Sequence, residues 1–528
     1  MHPDERNMAN AALSLHCKLS TLSECFNPHF FAYGQFPLYM GYLFVKIWHF
    51  LSGNFGLTIL FSEAALALRL ISAVSSILTA LIIYKIIQLV QSKQSNNFFH
   101  YIFTWLIIIF TPCFIQFSHF GTTESLLMLF NSLLVYMCLI YLNNKINRNI
   151  FLAGVSIFSG LALATKVSSF IFILVPLIIL ILKDRKKHFL FTIRLIFLMT
   201  FSTLIVFVIF SPHNFISFPE FISSMKYEAD VALGTYVAFY TRQFINTTPY
   251  IFQLYNVFPY MLGMPLFILS ILGMIFLPYN KEHNMLRLTV LIFMLSQVEM
   301  FVKWSRFMAP ILPIMVVFAI FFVKHIYVKI KFKFKNILLA FIIIICIIPG
   351  IAYLSIYENN DVRYTATQWI NKNIPQNLFI LSETANVVDI PIYSNNFYKI
   401  ISFNFYDVDS DPQLQKELLI DIEKADYIFV PSRRIFMNHT CERNDKFLLQ
   451  GKQNSKQRCE KLQKKYPILN EYYKKLFNGS LGFKQVAEFS SYPKISLFGK
   501  TIFEFSDESS EETWTVFDHP VIRIYKRN

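Results

Sequence analysis

Long apolar runs dominate the first two thirds of the chain. Stretches near 64–90, 100–118, 122–142, 150–165, 167–182, 190–210, 256–278, 286–302, 307–323 and 336–356 are candidate spans, since a helix crosses a bilayer in about 20 apolar residues, or somewhat fewer. The two runs between 150 and 182 are short and form a tight pair around Lys166. The run 36–51 is apolar too, but it carries Pro37, Lys46 and His49, and it reads as a helix lying in the interface. From about 357 the pattern becomes that of a soluble unit. Asp361 caps a helix that ends before Pro375. Strand-like runs follow at 378–382, 426–430, 486–489 and 521–525, with a helix from Asp411 between the first two. The pattern predicts an α-helical polytopic membrane domain over 1–356 and a small α/β domain over 357–528.

Charge then orients the chain. Alternate loops carry Lys93; Lys145 and Arg148; Lys183, Arg185, Lys186 and Lys187; Lys281 and Arg287; and Lys324, Lys329, Lys331, Lys333 and Lys335. All fall on one side if 36–51 does not cross, and the positive-inside rule makes that side cytoplasmic. The opposite, extracytoplasmic side receives a first outward loop at 1–63, then 119–122, 166, 211–255, 303–306 and the C-terminal α/β domain. These segments hold most of the unusual polar residues. The expected location is the cell membrane, multi-pass. No apolar run precedes residues 1–35, so a first spanning helix is expected upstream of Met1.

Composition agrees. The chain is 55% hydrophobic and 15% charged, against about 25% charged in soluble domains, and its mean hydropathy is +0.45. A formal charge of +15 raises nucleic acid as a partner. The placement of Lys and Arg between apolar runs excludes it and favours orientation plus attraction to anionic membrane lipid. Seven cysteines show no zinc spacing. Cys441 and Cys459 are a candidate pair in the C-terminal domain, and three Asn-X-Ser/Thr matches begin at Asn246, Asn438 and Asn478.

Five outward stations carry candidate chemistry. Met1-His2-Pro3-Asp4-Glu5-Arg6 places two acids after a proline that favours an extended His2. The plain reading is a solvated helix start. Glu63 and Arg69 lie at the outer end of a span. His119 and Glu124 flank a short turn. Lys166 stands alone between apolar stretches, where ionisable groups usually line a pathway. The 211–255 loop holds His213, Tyr227, Glu228 and Arg242, and Lys303 and Arg306 occupy the next outer turn. Snorkelling to water is the plain reading for Glu63, Arg69, Lys303 and Arg306.

Glycosyl transfer from a lipid-linked sugar phosphate would use this set. An acceptor hydroxyl loses a proton as it attacks the anomeric carbon, which calls for a carboxylate within hydrogen-bond reach. The leaving phosphate gains charge that Lys166, Arg242 or Arg306 would stabilise. One base and a single displacement invert the anomeric centre. Asp4 is the expected base, with Glu5 and Glu124 as further catalytic candidates and His119, Tyr227 and Glu63 as additional site residues.

The stretches HPDER (2–6), NPHFFAYGQFPLYMGYL (27–43), HFGTTES (119–125), GLALATK (160–166) and KWSRFMAPILP (303–313) resemble the polytopic glycosyltransferases of the GT-C fold. The likeness is to the bacterial relatives of protein O-mannosyltransferases and aminoarabinose transferases. It covers roughly 1–320, and DVRYTATQWINKNIP (361–375) resembles the start of an outward C-terminal domain in some members. The resemblance implies a polyprenyl-phosphate sugar donor and an outward site. It places the family's catalytic Asp on Asp4, its second acid, usually Asp, on Glu124, and its outer Lys on Lys166. Some relatives bind a divalent metal; Glu63 and His213 are the candidate ligands here. The sugar and the acceptor stay open. A transporter or flippase of a lipid-linked or small polar substrate is the alternative, but no internal repeat is evident and the polar residues gather at one face rather than at mid-membrane. A non-catalytic protein presenting its outward domain would leave Asp4, Glu124 and Lys166 without a common purpose.

Overall fold

A computed structural model of the chain describes residues 1–17, 24–90, 98–184, 189–297, 300–330, 335–383, 390–392, 398–440 and 452–528. Among these, six helices are long and apolar enough to cross a membrane: Phe61–Val90, Glu124–Leu142, Arg148–Thr165, Phe189–Phe210, Ser305–Lys329 and Lys335–Glu358. Two bent pairs add further apolar length. Tyr101–Ile109 and Pro112–His119 meet at 52°, and Ile251–Leu262 and Met264–Phe276 at 115°. Sequence chemistry explains both breaks. Pro112 lacks the amide that would continue the preceding helix. Gly263 takes a positive φ of 78°, which a side chain would strain.

Two further spans of the ten expected differ in form. The run 167–182 starts as a 3₁₀ stretch, Val167–Ile173, before the helix Leu174–Asp184, because Lys166 ahead of it is fully extended. The run 286–302 is displaced to Lys281–Ser296, where the Asn280 side chain caps the helix. That helix and Phe36–Leu51 each have 16 residues, about 24 Å, short of a bilayer core. Phe36–Leu51 exposes Leu43, Phe44, Ile47 and Trp48 while burying Leu38, Val45 and His49. That one-sided pattern suits a helix lying along an interface.

The two ends of the bundle differ in charge. At the C-terminal end of Glu124–Leu142, Lys183 sits 3.7 Å from the Tyr141 ring centroid, Lys281 donates to the Leu142 carbonyl at 3.4 Å, and Arg148 lies over Phe191. Three of the basic loops thus meet at one end. Lys93, Arg185, Lys186, Lys187, Lys331 and Lys333 lie outside the described residues. The acids and the isolated Lys166 gather at the other end.

Among the described residues, the C-terminal part carries seven strands: β1 Phe379–Glu383, β2 Lys399–Phe403, β3 Tyr427–Val430, β4 Phe483–Phe489, β5 Lys494–Leu497, β6 Lys500–Glu504 and β7 Ile522–Arg527. Five form a sheet ordered β2-β1-β3-β7-β4. β2, β1 and β3 run parallel, and β7 is antiparallel to both its neighbours. β5 and β6 make a separate hairpin. Asp361 caps Val362–Asn373, and Asp411 caps Pro412–Lys424, as their sequence context predicts. Asn438 is fully buried and donates to Glu512 at 2.7 Å, so its Asn-X-Thr match is inaccessible in the fold. The expected Cys441–Cys459 pair involves a residue outside the described ones.

The two parts interlock through residues 507–519. Trp514 is buried in the apolar core of the helical bundle, against Tyr353 and Phe117. The Glu511 carboxylate accepts from the Ser305 amide (3.0 Å) and from Gln243 (2.8 Å). Gln116 donates to the Trp514 carbonyl at 2.8 Å. Within this strap, His519 is buried between Asp507 (2.8 Å) and Asp518 (3.3 Å). Burial opposes its charge, but Asp507 and Asp518 outweigh burial and raise its pKa to about 9.

A raised folded-state pKa stabilises the fold fully below the unfolded value of about 6.5. The contribution is lost as pH rises through about 9. The detergent-solubilised protein should therefore lose on the order of 3 kcal/mol of stability across that window. His519→Gln should flatten this part of the profile in thermal unfolding from pH 6 to 10.

Candidate active site

Pro3 starts the helix Pro3–Leu13 and leaves His2 extended (φ −69°, ψ 141°). The His2 ring accepts from the Asp4 amide at 3.1 Å, and the Glu5 carboxylate accepts from the His2 amide at 3.4 Å. This reciprocal cap satisfies two amides at the helix start. It also divides the acid pair, since successive helical residues point about 100° apart.

Glu5 turns inward. It is fully buried and ion-paired with Arg69 from Phe61–Val90. Gly121 lies against this pair: a Cβ there would come within 3.2 Å of Glu5 Cγ and 2.8 Å of Leu68 Cβ. The glycine of HFGTTES is thus required by the close approach of the Glu5–Arg69 pair. Asp4 turns the other way, forming an ion pair with Arg306, 302 positions along the chain. Tyr33 also donates a side-chain hydrogen bond to Asp4.

Lys166 completes the cluster. It sits between Arg148–Thr165 and the 3₁₀ stretch, with its ammonium 5.1 Å from the Tyr33 ring centroid and 4.8 Å from that of Phe307. The loop carrying Tyr33 is fixed to this turn by the Gly34 amide, which donates to the Thr165 carbonyl at 3.0 Å. Glu124 opens its helix as a residue only 2% exposed. Its Oε1 is buried without a hydrogen-bond partner, and its charge acts on Lys166, Tyr33 and Arg306. Glu228, partly buried on Phe218–Leu233, acts on the same Lys166. Trp304 stacks under Arg306 at 4.6 Å and against Tyr240, whose hydroxyl meets that of Tyr227 at 2.9 Å.

These neighbours set the protonation states. Burial pushes the Asp4 carboxyl up, but Arg306, His2 and the Tyr33 hydrogen bond outweigh it and the net shift is down. Burial lowers Lys166, against the opposing pull of Glu124. Burial raises Glu228, and burial lowers His2 to about 3, so its ring is neutral near pH 7. The cluster therefore presents an ionised Asp4 beside fixed cations, in a site largely withdrawn from water.

Several other expected residues lie elsewhere. Arg242 does not reach the cluster. Its guanidinium contacts the Tyr406 carbonyl (3.0 Å) and His439 (2.6 Å) and lies over Tyr466, which docks it on the C-terminal part. Lys303 donates to the Phe301 carbonyl at 2.7 Å. His119 stacks flat on Tyr357 at 3.8 Å. Glu63 pairs with His49 at 2.9 Å, and His213 contacts the Cys25 carbonyl at 2.8 Å. Glu63 and His213 thus do not form a joint ligand set. Among the described residues no group of three His, Cys, Asp or Glu side chains is arranged for a metal ion. Sequence reasoning missed Tyr33, although it lies inside the 27–43 motif, and it missed the disulfide Cys17–Cys25 that closes the loop ahead of it.

Residues 55–215 match the family model described as dolichyl-phosphate-mannose-protein mannosyltransferase. The matched stretch contains His119, Glu124 and Lys166. That stretch, rather than the whole chain, is similar to the mannosyltransferase family. Asp4 and Arg306 lie outside the matched stretch. Among solved structures, the chain is similar to ArnT from Cupriavidus metallidurans bound to undecaprenyl phosphate. Identity is 12% and the TM-score 0.45, over 81% of this chain and 88% of that one. The apo state of the same protein gives 12%, 0.43, 83% and 89%. An Archaeoglobus fulgidus oligosaccharyltransferase, solved with Zn and sulfate, gives 13%, 0.42, 80% and 63%. No curated protein sequence matches the chain.

The Tyr33–Lys166 contact depends on the close approach at Gly34, where an added Cβ would collide with the Ala164 carbonyl. Gly34→Ala should force the 27–35 loop off the Lys166 turn and cost roughly 1–3 kcal/mol. Thermal unfolding in detergent would register the loss. An unshifted midpoint would show that the loop is not held there.

Proposed function

We propose that the protein transfers a sugar from a polyprenyl-phosphate donor to an acceptor hydroxyl by an inverting displacement, with Asp4 as base. The observation that carries the reading is the convergence of Asp4, Glu124, Lys166 and Arg306, drawn from four separate parts of the chain, on one end of an apolar helical bundle. The family match over 55–215 supports the same chemistry. An acceptor O–H attacks the anomeric carbon, the sugar–phosphate C–O bond breaks, and the hydroxyl proton passes to the Asp4 carboxylate. Electrons of the breaking bond leave with the phosphate, where Lys166 and Arg306 offset the developing charge.

The Asp4–Arg306 pair gives this reading an order. Without donor, the base is held by a guanidinium. A donor phosphate competing for Arg306 loosens that hold, so Asp4 becomes available as the leaving group arrives. Glu124, with a buried oxygen lacking a partner, is placed to accept a hydrogen bond from the sugar or to hold Lys166. The reactive end faces away from the cytoplasm in this proposal, and so does the C-terminal part. The gathering of basic loops at the opposite end supports that orientation. The Cys17–Cys25 disulfide, typical of oxidising compartments, supports it too.

Asp4→Asn should keep donor binding while turnover falls about 10²–10⁴-fold, read as sugar released from polyprenyl-phosphate sugars by the purified protein. Equal turnover in parent and variant would remove Asp4 as the base. Lys166→Met should weaken donor binding or slow turnover; unchanged kinetics would leave Lys166 with a packing role only.

A further inference from the structure

A cavity of about 650 Å³ opens between the loop 29–32 and the helix Phe218–Leu233. Its walls include His29, Phe30, Glu220, Ser223, Ser224 and Tyr227. The position is informative because both walls lead to the reactive cluster. Residue 32 is followed by Tyr33, the hydrogen-bond partner of Asp4. Tyr227 is followed by Glu228, which acts on Lys166. Tyr227 also reaches Arg306 through Tyr240 and Trp304.

The lining distinguishes among occupants. A polyprenyl tail needs an apolar groove, whereas this cavity sets a carboxylate, an imidazole and three hydroxyls beside Phe30, Phe31 and Pro219. An anionic occupant would meet Glu220 and the nearby Glu24. The one basic side chain on the wall, His29, already stands between those acids, at 3.3 Å from Glu24 and 3.6 Å from Glu220. A half-exposed Tyr227 ring beside serine hydroxyls and a carboxylate offers a face for sugar C–H groups and hydrogen-bond partners for sugar hydroxyls. We propose that this cavity is the acceptor subsite and that it takes a neutral, hydroxyl-rich glycan. The assignment of an acceptor role rests on the transferase reading above; the binding of a neutral glycan does not.

The test therefore reads binding without donor. Purified full-length protein in detergent is applied to immobilised neutral hexose and N-acetylhexosamine oligosaccharides and to their sulfated and uronic-acid counterparts. The parent should bind neutral glycans in preference to anionic ones. Ser223→Trp, which fills the cavity, should abolish that binding. Glu220→Gln should weaken it about tenfold, the scale of one charge-assisted hydrogen bond, and carries the test alone if the tryptophan variant does not fold. Absence of neutral binding, a preference for anionic glycans, or binding unchanged by either folded variant would overturn the proposal. Those results would leave the Asp4→Asn experiment unaffected, and a failure there would leave the glycan result standing.

Discussion

The ion pair between Asp4 and Arg306 ties together parts of the chain that are about as far apart as the helical bundle allows. Neither charge is free to move to water. The pair is held by the His2 cap on one side and by Trp304 beneath the guanidinium on the other. Withdrawing two charges from water is favourable only where each finds its counterpart with further polar support. That requirement fixes the start of Pro3–Leu13 against the start of Ser305–Lys329, and with it the space in which Lys166 and Glu124 meet.

Around that pair the structure sends two adjacent acids to different partners. Glu5 and Arg69 form a second ion pair one residue away, turned into the packed side of the helix and sealed by Gly121. Asp4 faces the cluster. Two adjacent acids thus take different tasks because a helix points them in different directions. The aromatic rings of Tyr33, Phe307 and Trp304 give the cations an apolar but electron-rich lining. Such a lining lowers the cost of keeping a cation out of water.

Much of this is legible in the sequence. Apolar runs gave the spans, and the alternation of basic loops gave the end at which polar residues collect. Asp4, Glu124, Lys166 and Arg306 stood out because charges in apolar surroundings are expensive. What the pattern did not contain was side-chain direction. Arg242 has the same composition-level signature as Arg306, yet it is captured by Tyr406 and His439, residues from a unit whose docking no local pattern describes. Glu63 and His213 each found a nearer partner than one another. Among strands, β2 was missed because it is a short, largely exposed edge with Lys and Ser among its residues. The hairpin β5–β6 was missed because its exposed faces carry no burial signal.

The strap at 507–519 bears on how this architecture can vary. Its Glu511 takes up the Ser305 amide one residue from Arg306, and its tryptophan fills a slot among the membrane helices. The C-terminal part is therefore a structural component of the end of the bundle that holds Asp4 and Arg306 rather than a detachable appendage. Exchange of that part between chains of this fold is constrained to bring the strap along. Lineages free to remodel the sheet and its outer helices would still be obliged to keep an acid and a large ring where they meet the bundle.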